Sequence, residues 1–265
     1  MSAPAVLSNI DGRGVATVIL NRPEVNNAYN ADLLQCVISG LGQIECDAGV
    51  RAVILKGNGR HFLAGADLKW INSVRPESPS VNLAASQMTA EVIDRLNRLA
   101  VPVIALVQGG CFGGGTGVVA ACDVVLAADN AIFSIAEVRW GLHAGIIIPH
   151  LNDAIGVRQV RRYALTGERF GAEEARRIGL VHEVVPLAGL EARGAEIVAQ
   201  ILENSSAAMA KTKGHILESA WGGLDRSDYE ALIESHANAR QTADAAEGLA
   251  SFAEKRRAKW APKKG

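Results

Sequence analysis

Gly109-Gly110-Cys111-Phe112-Gly113-Gly114-Gly115-Thr116-Gly117 is the stretch that decides the fold of this chain, and six of its nine residues are glycine. The apolar run before it, 102–107, predicts a buried strand, and the apolar segment after it, 118–121, predicts a buried helix. Glycine loses more backbone freedom on folding than any other residue, so a chain accepts such a stretch where side chains must be absent. One such place is a helix start whose bare N–H groups face a ligand oxygen.

Three interpretations of this stretch compete. The first is a tight turn with close packing of the following helix. The second is a dinucleotide-binding fingerprint, because 115–120 fits G-x-G-x-x-A, but that fingerprint needs its first glycine directly after the strand, and residues 108–114 intervene here. The third is an oxyanion hole, in which a backbone N–H polarises a carbonyl. It requires a second donor and an acid or base elsewhere, and the chain supplies both, so the third interpretation is favoured.

Composition limits the class of protein. The chain has 265 residues, of which 49% are hydrophobic, so it can bury a large core as one domain or as one domain with an appendage. The net charge of −1 argues against a general attraction to nucleic acid or acidic lipid. We find no signal-peptide pattern and no apolar run near the roughly 20 residues of a membrane helix, so we expect a cytoplasmic location. Single cysteines in apolar settings predict reduced, buried thiols at Cys36, Cys46, Cys111 and Cys122.

Strands and helices are predicted to alternate along most of the chain. Asn30 is placed to cap a helix that runs to about Cys46, and apolar residues spaced by three and four from Val81 to Leu99 predict a long helix. Prolines and serines at 74–82 indicate a flexible loop. The alternation argues for an α/β layered fold. Apolar runs predict its strands at 14–20, 52–57, 102–107, 123–128 and 183–185.

The chain beyond Asn204 is almost entirely amphipathic helix by its pattern. Helices this late in the chain have little remaining sequence to cover their apolar faces, so we expect them to pack on a partner. The predicted organisation is a core of residues 1–203 followed by a helical oligomerisation region of residues 204–265.

Short motifs occur in a fixed order along the chain. They are Asn21-Arg22-Pro23 with Asn27-Ala28, A-G-A-D-L at 64–68, the glycine triplet 113–115 with Cys122-Asp123, the segment 133–137, Thr166-Gly167-Glu168, 172–175, 179–181 and 252–256. Each motif alone is weak. Together and in this order, they resemble the crotonase superfamily, the enoyl-CoA hydratase/isomerase fold, over nearly the whole chain.

The resemblance implies a fold and an assembly. The fold is α/β, a crotonase-like spiral core of ββα turns with a C-terminal helical trimerisation region. The assembly is a homotrimer, or a hexamer formed as a dimer of trimers. Within the superfamily, the sequences of residues 110–117 and of Glu137-Val138-Arg139 resemble those of one branch. This branch contains methylglutaconyl-CoA and isohexenylglutaconyl-CoA hydratases, which act in leucine and acyclic terpene catabolism.

The resemblance also implies a site that adds water to an α,β-unsaturated acyl-CoA thioester. The backbone N–H groups of Ala66 and Gly114 match the family's oxyanion hole, and Glu137 matches its catalytic glutamate. Each such donor is typically worth ~3 kcal/mol in the transition state. Because the neighbours of Glu137 are apolar, its pKa is expected to rise towards the range useful for acid–base work. The alternative for Glu137 is an ion pair with Arg139.

One position departs from the best-known hydratases. They carry a second glutamate two residues after the glycine triplet, where this chain has Gly117. Either Glu137 works alone or another group substitutes, and His143 is the nearest candidate in sequence, although a lone histidine is more often structural. Gly117 is also expected to leave space and remove a negative charge beside the site of attack, and Arg139 or His143 could meet a distal carboxylate. These features favour a branched glutaconyl-type acyl chain.

Coenzyme A is part of the substrate in this family, and no further cofactor is implied. The six histidines show no spacing typical of a metal site. Arg22, Lys69, Lys255 or Lys259 could assist the phosphates. On the family pattern, the residues that hold the substrate are Val25, Asn26, Ala64, Ala66, Asp67, Leu68 and Gly113.

Two alternatives stay open. One glutamate beside an oxyanion hole also suits the isomerisation of an acyl-CoA double bond. A non-catalytic assembly or RNA-binding protein could use the same fold as a scaffold, and the basic segment 255–259 is the feature in favour of it. We expect an acyl-CoA substrate, with no nucleic acid or membrane partner.

Overall fold

Two sheets, one large and one small, organise the computed structural model, which describes residues 3–220, 226–256 and 258–259. The strands are β1 (Val6–Ile10), β2 (Val15–Leu20), β3 (Ala52–Gly57), β4 (Val103–Val107), β5 (Gly110–Phe112), β6 (Val124–Ala128), β7 (Ile132–Ser134), β8 (Phe170–Gly171) and β9 (Glu183–Val185). The helices are α1 (Ala31–Cys46), α2 (Leu68–Val74), α3 (Pro79–Arg98), α4 (Gly114–Ala120), α5 (Ile148–Thr166), α6 (Ala172–Ile178), α7 (Leu190–Leu202), α8 (Ser206–Ala220), α9 (Arg226–Ala239) and α10 (Ala243–Ala253). Within the described ranges, no helix has the length and apolar character needed to cross a membrane.

The large sheet carries the core of the molecule. Its strand order is β1-β2-β3-β4-β6-β9, in which β1 pairs antiparallel with β2 and all the later neighbours are parallel. Residues of α1 pack on one face and residues of α7 on the other, so β4 is buried at every position. The five strands predicted from apolar runs are confirmed, and so is the α/β class.

The small sheet begins inside the glycine stretch. β5 pairs parallel with β7, and β7 pairs antiparallel with β8. These short strands are not predicted from the sequence, because two or three residues are too few to show a period. Strand β1 is not predicted either, because its residues are mostly exposed and carry no apolar alternation.

Side-chain caps set the starts of two long helices. The Asn30 side chain accepts a hydrogen bond from the backbone N–H of Leu33 at 3.0 Å, which confirms the predicted start of α1. The loop predicted at 74–82 is confirmed only at 75–78, because Ser78 caps α3 and Pro79 occupies its first turn, where proline needs no hydrogen-bond donor. The prediction of buried thiols is confirmed at Cys111 and Cys122 and is wrong at Cys46, which ends α1 on the surface, and at Cys36, which is half-buried.

The C-terminal helices pack on their own chain in this structure. α9 lies against α3, and α10 lies against the 3₁₀ turn Glu137–Trp140. Lys213 on α8 pairs with Asp123 at 2.7 Å and so ties α8 to the core. Packing on a partner stays a prediction, and residues 221–225, 257 and 260–265 of the proposed oligomerisation region, with Arg257 of the basic segment, lie outside the described residues.

Close backbone packing between α10 and the 137–140 turn generates a stability prediction. A Cβ atom at Gly248 would overlap the backbone carbonyl of Trp140, whereas a Cβ at Gly214 on α8 would meet no heavy atom within 4 Å. We expect Gly248→Ala to lower the free energy of unfolding by ~1–3 kcal/mol through overpacking. The control, Gly214→Ala, should raise it by ~0.5–1 kcal/mol, since alanine restricts the unfolded chain. Urea denaturation checks both values, and a Gly248→Ala protein as stable as the wild type would contradict this packing.

Candidate active site

Two turns rich in small residues run side by side, and the second of them lies within the glycine stretch 109–117. Leu63 and Cys111 form a parallel bridge, in which the N–H of Phe112 donates to the carbonyl of Leu63 at 2.9 Å. Ala66 stands three residues after Leu63, and Gly114 stands three residues after Cys111. The parallel register therefore brings Ala66 and Gly114 to the same end of the paired turns.

The backbone N–H groups of Ala66 and Gly114 are free of protein acceptors among the described residues. Both residues line one cavity of about 430 Å³. Buried backbone donors are nearly always paired in native proteins, so two unpaired N–H groups on one cavity are positioned for a ligand oxygen. This is the donor arrangement that the sequence predicts for an oxyanion hole.

The glycines at this end are required by close approach. Gly113 has φ of 51° and Gly65 has φ of 84°, which are left-handed values that favour glycine. A Cβ at Gly113 would lie 3.2 Å from Oε1 of Glu137, and a Cβ at Gly114 would overlap the hydroxyl of Tyr29. The Glu137 carboxylate therefore lies directly against the turn that carries the Gly114 N–H.

Glu137 begins the 3₁₀ turn that follows β7. Its Oε2 atom is buried and has no hydrogen-bond partner among the described residues, and no ion pair joins its carboxylate to Arg139. Burial raises the pKa of Glu137 from 4.5 to about 7, opposed only by a hydrogen bond from its own backbone N–H. A carboxyl group with this pKa can both accept and release a proton near neutral pH.

His143 lies outside the set of residues that line the cavity. Its Nδ1 accepts a hydrogen bond from the N–H of Gly145 at 3.2 Å, and its Nε2 lies 2.9 Å from the carbonyl of Ser235. Both ring nitrogens are therefore occupied in fixing the 141–145 segment against α9. The structure does not bring His143 together with Glu137, Ala66 and Gly114.

The structure contradicts the expectation that Gly117 leaves space for the substrate. Gly117 does not line the cavity, and a Cβ at this position would overlap the side chain of Ile147. The volume of the missing glutamate side chain is thus filled by Ile147 rather than left for substrate. The expectation that Gly117 removes a negative charge holds as a fact of sequence.

The other predicted substrate-binding residues line the cavity together. Asp67 caps α2 by accepting from the N–H of Lys69 at 3.0 Å, and its other oxygen pairs with Arg22 at 3.2 Å. Its carboxylate is therefore committed to the protein and shapes the wall. The predicted lining residues found on this cavity are Val25, Asn26, Ala64, Ala66, Asp67, Leu68, Lys69, Gly113 and Arg139.

Sequence reasoning missed part of the cavity wall. Tyr29, Thr89, His236 and Arg240 also line the cavity. A signal was present, because Asn82, Ser86 and Thr89 are spaced by four and three on α3 and place polar groups on a buried face. His236 of α9 and Arg240, which directly follows α9, meet that face at Ser86, and this long-range pairing has no sequence signature. Among the described residues, no cluster of three or more His, Cys, Asp or Glu side chains could hold a metal ion.

A comparison with protein families matches residues 11–263 to the enoyl-CoA hydratase/isomerase family. The chain belongs to the enoyl-CoA hydratase/isomerase family. The expected crotonase-like fold is confirmed by similar solved structures, among them an enoyl-CoA hydratase from Mycobacterium avium. That structure matches with a TM-score of 0.86 and 30% sequence identity, over 98% of this chain and 100% of that one.

Relatives in the family carry different names. A hydroxycinnamoyl-CoA hydratase-lyase from Pseudomonas fluorescens is 37% identical over 76% of this chain and 74% of its own length. A short-chain-enoyl-CoA hydratase from Clostridium acetobutylicum is 33% identical over 92% of each chain. Both names describe the hydration of an enoyl thioester, and they differ in the acyl group of the substrate.

The raised pKa of Glu137 generates a prediction for the pH dependence of stability. The folded pKa of about 7 exceeds the unfolded 4.5, so the folded state binds the proton more tightly and loses stability as pH rises between these values. Relative to Glu137→Gln, the wild type should lose about 3 kcal/mol of unfolding free energy between pH 4.5 and pH 7.5.

Urea denaturation of both proteins across this pH range measures the difference. Glu168→Gln is the control, because Glu168 is paired with Arg162 and its pKa is lowered, so its effect has the opposite sign. A pH-independent difference between the wild type and Glu137→Gln would show that the Glu137 carboxyl is not desolvated.

Proposed function

We propose that the protein adds water across the α,β double bond of an acyl-CoA thioester. The observation that carries the proposal is the position of the buried Glu137 carboxylate against Gly113, in one cavity with the unpaired N–H groups of Ala66 and Gly114. This arrangement places an acid–base group beside two donors for a thioester oxygen. Residues that also line the cavity, such as Val25 and Leu68, would hold the coenzyme A portion.

Thioester activation is the work of the two N–H groups. As water attacks the β-carbon, negative charge develops on the thioester oxygen, and a donor aimed at that oxygen is typically worth ~3 kcal/mol. Because the N–H groups of Ala66 and Gly114 form no bonds within the described protein, no internal bond has to break when the substrate binds. The stabilisation is therefore present before the reaction begins.

Proton transfer is the work of Glu137. Its carboxylate takes one proton from water while the hydroxide adds to the β-carbon and the double-bond electrons move to the thioester oxygen. The same carboxyl then gives the proton to the α-carbon, so that H and OH are both added and Glu137 is restored. Among the described residues, the other acidic side chain that lines the cavity is Asp67, and its carboxylate is occupied by Arg22 and the start of α2. A pKa of about 7 supports a single carboxyl that works in both steps.

For the acyl chain we propose a branched glutaconyl type, such as 3-methylglutaconyl or isohexenylglutaconyl. Its support is the absence of a second carboxylate at Gly117, which would repel an acidic acyl group, together with cationic side chains on the cavity wall. Because Ile147 packs against Gly117, extra space at this position does not support a branched acyl chain. The cavity of about 430 Å³ is within the ordinary range for small-molecule sites.

The family resemblance also supports proposals about the cellular setting. We propose a cytoplasmic enzyme that works as a homotrimer or as a dimer of trimers and needs no cofactor besides the coenzyme A of its substrate. Residues 1–203 would form the catalytic core, and 204–265 would supply the oligomerisation region.

The basic C-terminal segment gives little support to RNA binding. Arg256 donates to Glu247 at 2.6 Å, and the backbone N–H of Lys259 donates to the same carboxylate at 2.8 Å. Glu247 therefore neutralises part of this segment. Isomerisation of a double bond stays the alternative, since it also needs one carboxylate beside an oxyanion hole.

A panel of acyl-CoA thioesters tests the proposal. We expect the kcat/KM for 3-methylglutaconyl-CoA or isohexenylglutaconyl-CoA to exceed that for crotonyl-CoA by roughly ten- to thirtyfold, equivalent to ~1.4–2 kcal/mol. Hydration removes the ultraviolet absorbance of the conjugated thioester, whereas isomerisation of a 3-enoyl substrate creates it. A better rate with crotonyl-CoA or a hydroxycinnamoyl-CoA would refute the branched glutaconyl assignment and leave hydration intact.

The Glu137→Gln variant is the control for the panel. It keeps the side-chain shape and removes the base, so kcat should fall by ~10²–10⁴-fold while the affinity for the coenzyme A portion is retained. Near-normal turnover in this variant would show that Glu137 is not the acid–base group.

A further inference from the structure

Arg240 is a buried cation on the wall of the active-site cavity. Arg240 directly follows α9 in the chain. It is 2% exposed, and it lines the same cavity as Glu137. Among the described residues, the other cations that line this cavity are exposed: Lys69, Arg139 and Arg169. Of these four side chains, Arg240 is therefore the one that is shielded from water.

Within the part of the chain that the structure describes, the Arg240 guanidinium contacts only neutral groups. Nη1 donates to the carbonyl of Asn82 at 2.9 Å, and Nη2 donates to the hydroxyl of Ser86. Nδ1 of His236 lies 3.3 Å from Nη2. No carboxylate of a described residue forms an ion pair with Arg240. Arginine has more N–H groups than these contacts use, so donors remain for a ligand.

The neighbours of Arg240 leave its charge uncompensated. Burial lowers the pKa of Arg240 to about 10, so the guanidinium stays charged at neutral pH. Burial, and then the charge of Arg240, lower the pKa of His236 to about 3, and burial raises the pKa of Tyr29. Both neighbours are therefore neutral. A buried charge without a counter-ion is costly, and an anionic ligand would relieve that cost.

Tyr29 connects this cluster to the oxyanion hole. Its ring and hydroxyl pack against Gly114, where a Cβ atom would overlap them. Burial raises the pKa of Tyr29 most; the charge of Glu137 also raises it and the charge of Arg240 lowers it, so both charges act on this phenol. Arg240 therefore lies near Tyr29 in the same cavity as the two N–H groups that would hold the thioester. The phosphates of coenzyme A are strongly hydrated and are better suited to the exposed cations.

We propose that Arg240, held in place by Asn82 and Ser86, binds a carboxylate at the distal end of the acyl chain. The assignment rests on the proposed function, and it moves the carboxylate anchor from Arg139 or His143 to the residue that directly follows α9. The planar guanidinium presents parallel N–H groups that match a carboxylate, which an ammonium group does not. The substrate class is therefore an acyl-CoA with a dicarboxylic acyl group.

Binding of unreactive thioesters tests the anchor without turnover. Glutaryl-CoA and pentanoyl-CoA have the same chain length and differ in a carboxylate in place of a methyl group. By calorimetry, we expect the wild type to bind glutaryl-CoA at least tenfold more tightly, Arg240→Met to lose this preference, and Arg240→Lys to keep only part of it. A purely structural role for Arg240 would weaken both ligands equally. Loss of the preference in Arg139→Met with retention in Arg240→Met would overturn the proposal.

Turnover of a matched pair separates this proposal from the function on which it rests. With Arg240→Met, kcat/KM should fall roughly a hundredfold for 3-methylglutaconyl-CoA, and the decrease should be absent for 3-methyl-2-pentenoyl-CoA. Hydration of enoyl thioesters without any preference for the acidic member contradicts the anchor alone. An Arg240-dependent preference for glutaryl-CoA without hydration of any enoyl thioester contradicts the proposed function alone. If Arg240→Met does not fold, Arg240→Lys and Ser86→Ala carry the same comparison.

Discussion

The site depends on the parallel contact between two turns of small residues. The N–H of Leu63 donates to the carbonyl of Gly110 at 3.2 Å, and the N–H of Phe112 donates back to Leu63. Because backbone faces backbone here, a Cβ at Gly65 would lie 2.7 Å from the carbonyl of Phe112. The contact ends where Ala66 and Gly114 leave their N–H groups unpaired. The same glycine stretch provides β5, which pairs with β7, and β7 leads directly to Glu137.

The cavity holds two buried charged groups that the described protein does not neutralise. Glu137 has an unpaired buried oxygen and a raised pKa, and Arg240 has only neutral partners. Such groups reduce the stability of the fold, because a charged group is better solvated in water than in a cavity wall. A role in binding or catalysis explains why they are buried here. The two have separate uses in our account: Glu137 carries a proton during the reaction, and Arg240 selects the acyl chain. The helices α9 and α10 support both, because Arg240 directly follows α9, which packs on α3, and α10 packs on the turn of Glu137.

Local signals in the sequence predicted much of the fold and part of the site. Apolar runs located the strands of the large sheet, and the side chain of Asn30 located the start of α1, because these features depend on neighbouring residues only. The cavity positions of Ala66, Gly114 and Glu137 followed from family motifs. Gly117 and Arg240 could not be placed in this way. The space beside Gly117 depends on Ile147, thirty residues later in the chain, and Arg240 reaches the cavity only through the packing of α9 on α3.

The central claim is that the Ala66 and Gly114 N–H groups polarise the thioester carbonyl, and vibrational spectroscopy tests it most directly. The probe is crotonyl-CoA with ¹³C at its carbonyl carbon, bound to Glu137→Gln so that it is not consumed. The account predicts a carbonyl stretch at lower frequency than in water, and a return of the frequency to the water value when Gly114→Pro is added, since proline lacks the N–H. A carbonyl frequency that matches the free thioester in water, or one that survives Gly114→Pro unchanged, would contradict the account.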